Sequence, residues 1–368
     1  MKKSLVALAA LAVVGAASAQ SSVTLFGVVD ANVGSYRTAD NGSATKMNTS
    51  GLSSSRLGFR GVEDLGGGMS AGFWLEAGLN PDAGIGQNST TNNQAAVVAA
   101  PSGLVFNRRS TVSLMGNFGE VRLGRDYTPS FWNTTVFDPF GTLGVAQSSN
   151  LNGAGFGGAA TNNVAAASGV AARVSNSVAY QYNQGAGPVG NTGLYGSAQI
   201  GLGEKASNTT NNKDGSYIGF RIGYQQGPLN VAVATGKIKA ADVGDYTQTN
   251  LGVSYDLGVA NLIGAYNRNN SGVSGTRYNT YMIGATIPMG QGYIPVSYNR
   301  TTINNAAGSK AGQFGIGYVY NLSKRTAVYT TFAQINNSNG AAFGVSGGVG
   351  GFANKNSSGV EFGVKHSF

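Results

Sequence analysis

The chain is 368 residues long with a formal net charge of +9, yet only 11% of it is charged and 58 residues are glycine, against about a quarter charged in an ordinary soluble domain. With 41% hydrophobic and 10% aromatic residues it is too apolar for a disordered polar chain, and glycines without a three-residue period beside only 8 prolines exclude collagen. No cysteine and a single histidine, His366, exclude disulfides, thiolate metal sites and most histidine-dependent catalysis, so no cofactor, metal site or catalytic set is expected.

Residues 1–19 have the form of a secretory signal peptide. Lys2 and Lys3 supply the positive start, Leu5 to Val14 a short apolar core, and Ala17-Ser18-Ala19 a small-residue cleavage site before Gln20. The core is shorter than the roughly 20 residues a spanning helix needs. Cleavage removes two lysines, lowers the formal charge from +9 to +7, and leaves one expected domain, 20–368. Beyond Gln20 no segment reaches 18 consecutive apolar residues. That excludes a helical membrane protein and leaves a soluble secreted protein or a membrane β-barrel.

A period of two runs through the rest. In Leu251-Gly252-Val253-Ser254-Tyr255-Asp256-Leu257 the odd positions are apolar and the even ones small or polar. Val174, Val178, Tyr180 and Tyr182 share one face of 173–183, and Arg173, Ser175, Ser177 and Gln181 the other. Ile218, Phe220, Ile222 and Tyr224 oppose Gly219, Arg221 and Gly223. About sixteen such segments are expected, at 22–36, 52–64, 69–80, 104–118, 119–127, 173–184, 193–204, 215–227, 228–239, 245–258, 259–269, 275–289, 291–303, 311–323, 324–336 and 357–368. Their lengths suit tilted strands with about 9–11 residues in the hydrocarbon. No 3.6-residue pattern is long enough to predict a helix. Short turns such as 64–68, 117–119, 226–228, 256–258, 289–292 and 321–324 alternate with long spacers at 37–51, 81–103, 128–172, 205–214, 304–310 and 337–356. This asymmetry predicts an all-β fold, a 16-stranded antiparallel transmembrane β-barrel. Glycines inside strands then mark bends or relieve crowding beside aromatic neighbours.

Alternation also assigns the charged side chains to faces. Arg56 and Arg60 share a face opposite Leu57 and Phe59. They point inward, because an ionised arginine on the lipid side costs about 2–4 kcal/mol at the midplane. Trp74 and Glu76 face inward likewise, with Phe73, Leu75 and Ala77 outward. In 108–114, Val112 and Leu114 read as outward, which turns Arg109 inward instead of Arg108. Arg125 falls outside with Val121 and Leu123, where burial against a neighbouring subunit would spare it contact with lipid. Arg173 and Arg221 lie on polar faces. At the end, Val360, Phe362, Val364, His366 and Phe368 face outward, and Glu361, Gly363, Lys365 and Ser367 inward.

Several stretches resemble the general diffusion porins of Gram-negative bacteria. They are Ser22-Val23-Thr24-Leu25-Phe26-Gly27-Val28-Val29-Asp30; Ser55-Arg56-Leu57-Gly58-Phe59-Arg60-Gly61-Val62-Glu63-Asp64-Leu65 with Phe73-Trp74-Leu75-Glu76; Phe106-Asn107-Arg108; Leu123-Gly124-Arg125-Asp126-Tyr127-Thr128-Pro129; and the closing Gly363-Val364-Lys365-His366-Ser367-Phe368. The resemblance implies a trimeric barrel in outer-membrane lipid and lipopolysaccharide, a homotrimer passing small hydrophilic solutes and ions. It implies a long third loop, here 128–172, folded into the lumen. It places Arg56, Arg108 and Arg173 on a basic constriction wall, with Glu76 and an acidic loop residue across from them. Enteric members carry Pro-Glu-Phe-Gly-Gly in that loop; Phe137-Asp138-Pro139-Phe140-Gly141 stands here, so Asp138 takes the acidic role. For the basic wall the family alignment, Arg108, is followed over the alternation. Phe368 matches the terminal aromatic residue that the barrel-assembly machinery reads.

Rings of arginine favour anions, so the expected function is a modestly anion-selective outer-membrane pore for passive diffusion. The alternatives are a channel preferring small anionic solutes and a non-pore surface adhesin. Gly153, Gly155 and Gly158 match a dinucleotide-binding spacing by letter but lack its strand–turn–helix setting. The basic residues form no run for nucleic acid, and an enzyme would need an acid–base set that one terminal histidine does not supply.

Overall fold

The computed structural model describes residues 22–87, 89, 93, 103–152, 172–184, 190–240, 244–272 and 275–368. The expected signal peptide and the Gly153–Gly158 run lie outside the described residues.

Sixteen strand positions close one antiparallel sheet on itself. The first, β1 (Ser22–Thr38), is flanked on one side by β2, which comes in two pieces. Gly42–Thr49 pairs with the later half of β1 and Arg56–Gly66 with the earlier half. There follow β3 (Met69–Asn80), β4 (Arg109–Gly116), β5 (Gly119–Tyr127), β6 (Arg173–Tyr182) and β7 (Gly193–Gly201). Next come β8 (Tyr217–Gln226), β9 (Leu229–Ile238), β10 (Tyr246–Asp256), β11 (Asn261–Ser271) and β12 (Arg277–Met289). The last are β13 (Gly292–Ile303), β14 (Lys310–Asn321), β15 (Thr326–Ser338) and β16 (Ser357–Ser367). A two-residue strand, Ile85–Gly86, sits on the end of β3.

β16 returns to β1, with Val28 opposite Ser367 and Thr38 opposite Ser357, so the sheet has no free edge. Phe368 finishes the seam. Its N–H donates to the Gly27 carbonyl (3.1 Å) and its carbonyl accepts from the Gly27 N–H (3.0 Å). The ring lies over Gly27, where any Cβ would collide with it.

The two faces of the wall differ as the alternation predicts. Ile218, Phe220, Ile222 and Tyr224 of β8 are between 43% and 54% exposed, while Tyr217 and Arg221 on its opposite face are buried. Water would charge such an apolar exterior about 25 cal/mol per Å²; lipid does not. The interior is polar and buried: Asn230, Gln248, Asn250, Asn267, Asn269, Thr280, Asn299 and Gln313 all point to it.

The structure departs from the sequence expectations in four places. The spacer 37–51 is a tight turn followed by a strand, Gly42–Thr49, because pairing with β1 satisfies a backbone whose Ser, Thr and Asn content reads as a loop. The strand expected from 104 starts at Arg109. Val174 is fully buried beside Tyr217, Ile238 and Tyr246, not on the apolar exterior with Val178. A register shift at Gly124/Asp126 and the left-handed Asn176 (φ 55°) break the alternation there.

The fourth is a helix. Between β5 and β6, α1 (Pro129–Val136) starts on Thr128, whose Oγ1 accepts from the Phe131 N–H (3.2 Å). Pro129 follows in the first turn, where its missing N–H costs nothing. Eight residues are too few for a helical period to register, and the Thr-Pro start was the available signal. α1 packs on β7 to β10, and a 3₁₀ turn, Ser148–Leu151, on β13 and β14. Inward amides hold both. Asn133 donates to Asn250 Oδ1 (2.8 Å), Asn250 to the Ser130 carbonyl (2.8 Å), Gln313 to the Ala146 carbonyl (2.9 Å) and Asn269 to the Asn152 carbonyl (2.8 Å). The Phe137 ring covers Gly252 so closely that a Cβ there would collide with it. These contacts are consistent with a long third loop folded into the lumen.

Candidate functional site

The inner wall from β2 to β6 carries a cluster of arginines. Its first member depends on the break in β2. Ser50 turns left-handed (φ 67°) and the chain leaves the ladder. The Asp30 carboxylate then accepts from the N–H groups of Gly51 (3.3 Å), Leu52 (2.9 Å) and Ser53 (2.6 Å), and from the Tyr329 hydroxyl (2.5 Å). Ser55 Oγ closes the clamp on the Asp30 backbone (3.0 Å). Arg56 follows directly, its guanidinium donating to the Ser54 carbonyl (3.0 Å) with Nε 3.9 Å from Glu76.

Arg108 sits one residue before β4, so the strand's alternation does not govern it. Its N–H bonds the Glu76 carbonyl (3.1 Å), its Nε donates to Glu76 Oε1 (2.5 Å), and its guanidinium reaches the Tyr127 hydroxyl. Arg173 donates to the same hydroxyl (2.8 Å) and lies 4.3 Å from the Tyr127 ring centre. Trp74 Nε1–H takes the second Glu76 oxygen (3.0 Å). Arg109, opposite Glu76 in the ladder, stacks on Trp74 at 4.5 Å and stands 3.8 Å from Asp126. Arg60 covers Trp74 at 5.1 Å and Phe26 at 5.4 Å. Arg122 is held between Glu120 (2.9 Å) and Asp126.

Arg56, Arg108, Arg109, Arg173, Glu76 and Tyr127 line one cavity of about 350 Å³, bounded also by Phe131 and Trp132 of α1 and by Gly141, Thr142 and Leu143. Across the whole cluster six arginines stand against three carboxylates, Glu76, Glu120 and Asp126. Each carboxylate is in an ion pair, so the surplus is positive.

Arg56, Arg60, Arg108, Arg173 and Glu76 are thus brought together. Glu76, however, lies within the arginine cluster and not across from it, because its strand neighbours that of Arg56. Arg108 and Arg109 both join the cluster, so choosing between them was unnecessary: one lies inside the strand and obeys alternation, the other precedes it. Asp138 is elsewhere. It is buried in its own loop, Oδ1 accepting from the Phe140 N–H (2.9 Å) and Oδ2 from those of Thr142 (3.1 Å) and Ser148 (2.9 Å). Burial pushes its carboxyl above the usual range, against the pull of the Ser148, Phe140 and Thr142 donors. It does not line the arginine cavity. Arg125 donates to the Asn107 carbonyl (2.6 Å) and Ser175 Oγ (2.6 Å), partners within its own chain.

Sequence reasoning left out Arg122, Glu120, Asp126 and the anchoring role of Asp30. Arg122 was legible, since Val121 and Leu123 outward put it inward. The clamp was not, because it joins residues 21 to 23 apart with Tyr329.

Residues 5–340 match the family model described as Gram-negative porin. The chain is 39% identical over its whole length to the outer membrane porin protein 32 of Delftia acidovorans, all of which is covered. It is 30% identical to an outer membrane porin protein of Bordetella pertussis over 94% of this chain and 98% of that one. A solved structure described as an anion-selective porin from Comamonas acidovorans superposes with a TM-score of 0.78 at 35% identity, covering 95% of this chain and 100% of the other.

Proposed function

The chain belongs to the Gram-negative porin family and is an outer-membrane channel for passive diffusion of small hydrophilic solutes and ions, and on that premise we propose that the channel prefers anions. The carrying observation is the surplus of inward arginines over carboxylates on β2 to β6. Fixed positive charge beside a narrow aqueous passage raises the local anion concentration and repels cations. A relative of similar fold described as an anion-selective porin supports the same reading. Arg56, Arg60, Arg108 and Arg173 form the basic part of the constriction, and Glu76 tempers it. The third loop narrows the opening from the α1 side. Asp138 shapes that loop and does not face the solute.

Assembly follows the family: a homotrimer in lipid and lipopolysaccharide, with Phe368 as the signal read by the barrel-assembly machinery. Reversal potentials across a planar bilayer in a salt gradient test the selectivity. A chloride preference is expected, and cation preference at neutral pH refutes it. Conductance inserted in steps of three supports the trimer. Phe368→Ala lowers the yield of heat-modifiable barrel; an unchanged yield reduces Phe368 to a seam residue.

A further inference from the structure

The chain has two tryptophans, and both line the arginine cavity. In membrane barrels tryptophan collects in girdles at the two membrane–water interfaces, where its ring sits among headgroups. Trp74 is instead on the inner wall, its N–H held by Glu76 and its ring near the guanidiniums of Arg60 and Arg109. Trp132 is on α1, its ring centre 4.5 Å from that of Tyr127. Phe131 stacks on Tyr127 at 5.4 Å with 11° between the planes. Phe131 and Trp132 are only half-buried, so part of each ring meets the water of the passage. A passage for hydrated inorganic ions gains nothing from this, since exposed apolar surface costs about 25 cal/mol per Å². A solute that covers the rings while answering the guanidiniums recovers that cost.

We propose that the cavity is a subsite for small aromatic carboxylates of the benzoate type. The carboxylate meets Arg56 and Arg173, and the ring lies against Trp132 and Phe131. Arg56 has the capacity: its side chain is 27% exposed and its link to Glu76 is long, at 3.9 Å. A guanidinium presents a planar fork that matches a carboxylate. The cavity of about 350 Å³ falls within the range of small-molecule sites. Retention must be weak, because a solute that binds tightly in a pore blocks it. The subsite rests on the anion-preferring reading and adds the ring to it.

The test uses the full-length protein in planar bilayers. Benzoate should reduce the single-channel chloride current at a concentration about tenfold below that required of acetate, with cyclohexanecarboxylate, which covers the rings without stacking, between the two. Trp132→Leu should bring benzoate to within about twofold of acetate. Equal concentrations of benzoate and acetate in the wild type overturn the subsite, and so does equal action by cyclohexanecarboxylate. Reversal potentials on the same membranes separate the two readings. A chloride preference with no advantage for benzoate removes the subsite alone; a cation preference removes both. A second measurement needs no variant, because Trp74 and Trp132 are the chain's only tryptophan emitters. Quenching by 4-nitrobenzoate should saturate, while quenching by neutral 4-nitrobenzamide should rise linearly. Linear quenching by both overturns the proposal.

Discussion

Two stretches of the inner wall use charge in opposite ways. From β2 to β6 arginines outnumber carboxylates, stack on Trp74 and Tyr127 and keep a positive surplus beside the cavity. From β16 to β1 the buried charges are carboxylates taken up by backbone. Asp30 holds Gly51 to Ser53, and Glu361 accepts from the Val145 N–H (3.0 Å). Asp138 does the same within the third loop. The division follows from hydrogen-bond inventory. Backbone that leaves the sheet for the interior brings N–H groups without partners, and an ionised carboxylate offers acceptors only. Guanidiniums offer donors only, so they cannot satisfy those N–H groups; they go to carboxylates, hydroxyls, carbonyls and aromatic faces instead. The backbone-held acids set shape; in the proposed function the arginine surplus sets what passes.

The largest effect should come from the clamp. Asp30→Ala leaves three N–H groups and the Tyr329 hydroxyl without an acceptor. At about 1–3 kcal/mol per buried orphan, the loss is on the order of several kcal/mol. Thermal unfolding in detergent should show it, together with noisier single-channel current as Gly51–Ser55 moves. Wild-type melting would mean that the clamp holds nothing. Next comes Glu361→Ala, which frees the Val145 N–H and should cost about 1–3 kcal/mol, while Glu361→Gln keeps an acceptor oxygen and should cost less. If the two variants melt alike, the contact to the third loop is unimportant.

Arg56→Gln should reverse the pattern: a clear shift of reversal potential toward cations with about 1 kcal/mol or less of stability lost, since its ion pair is long and partly solvated. A larger stability loss than that of Asp30→Ala would collapse the contrast between the two walls. The smallest effect is pH-dependent. Asp138 has a carboxyl raised in the folded loop, so the folded state binds its proton more readily than the unfolded chain. That contribution is fully present below the ordinary aspartate value and is lost as pH rises through the folded one. Amide exchange at Phe140 and Thr142, corrected for intrinsic rates, should show more protection near pH 4 than at neutral pH. Asp138→Asn should abolish the difference; equal protection in the wild type excludes a coupled proton.

Much of the wall was legible because a strand between lipid and water repeats every two residues. Val121 and Leu123 sort Arg122, and Leu57 and Phe59 sort Arg56 and Arg60, with no knowledge of the partner strand. The rule fails where its premise does. Arg108 precedes a strand, Val174 lies just before a bulge, and Gly42–Thr49 is mostly polar, with no apolar alternation to separate it from a loop. Glu76 and Asp138 were expected across from the arginines; ladder neighbours put the first among them, and burial in its own loop withdrew the second.

By itself the sequence determined the strand number, the faces of the alternating residues and the closing Phe368, since lipid imposes a local period that any window of ten residues reports. Tertiary structure alone decided which acids become clamps, which arginines share Tyr127, and why both tryptophans meet in one cavity. Those outcomes join residues as far apart as Asp30 and Tyr329 or Val145 and Glu361. The reason is physical: inward-folded backbone must find hydrogen-bond partners, and only the closed barrel brings them within reach.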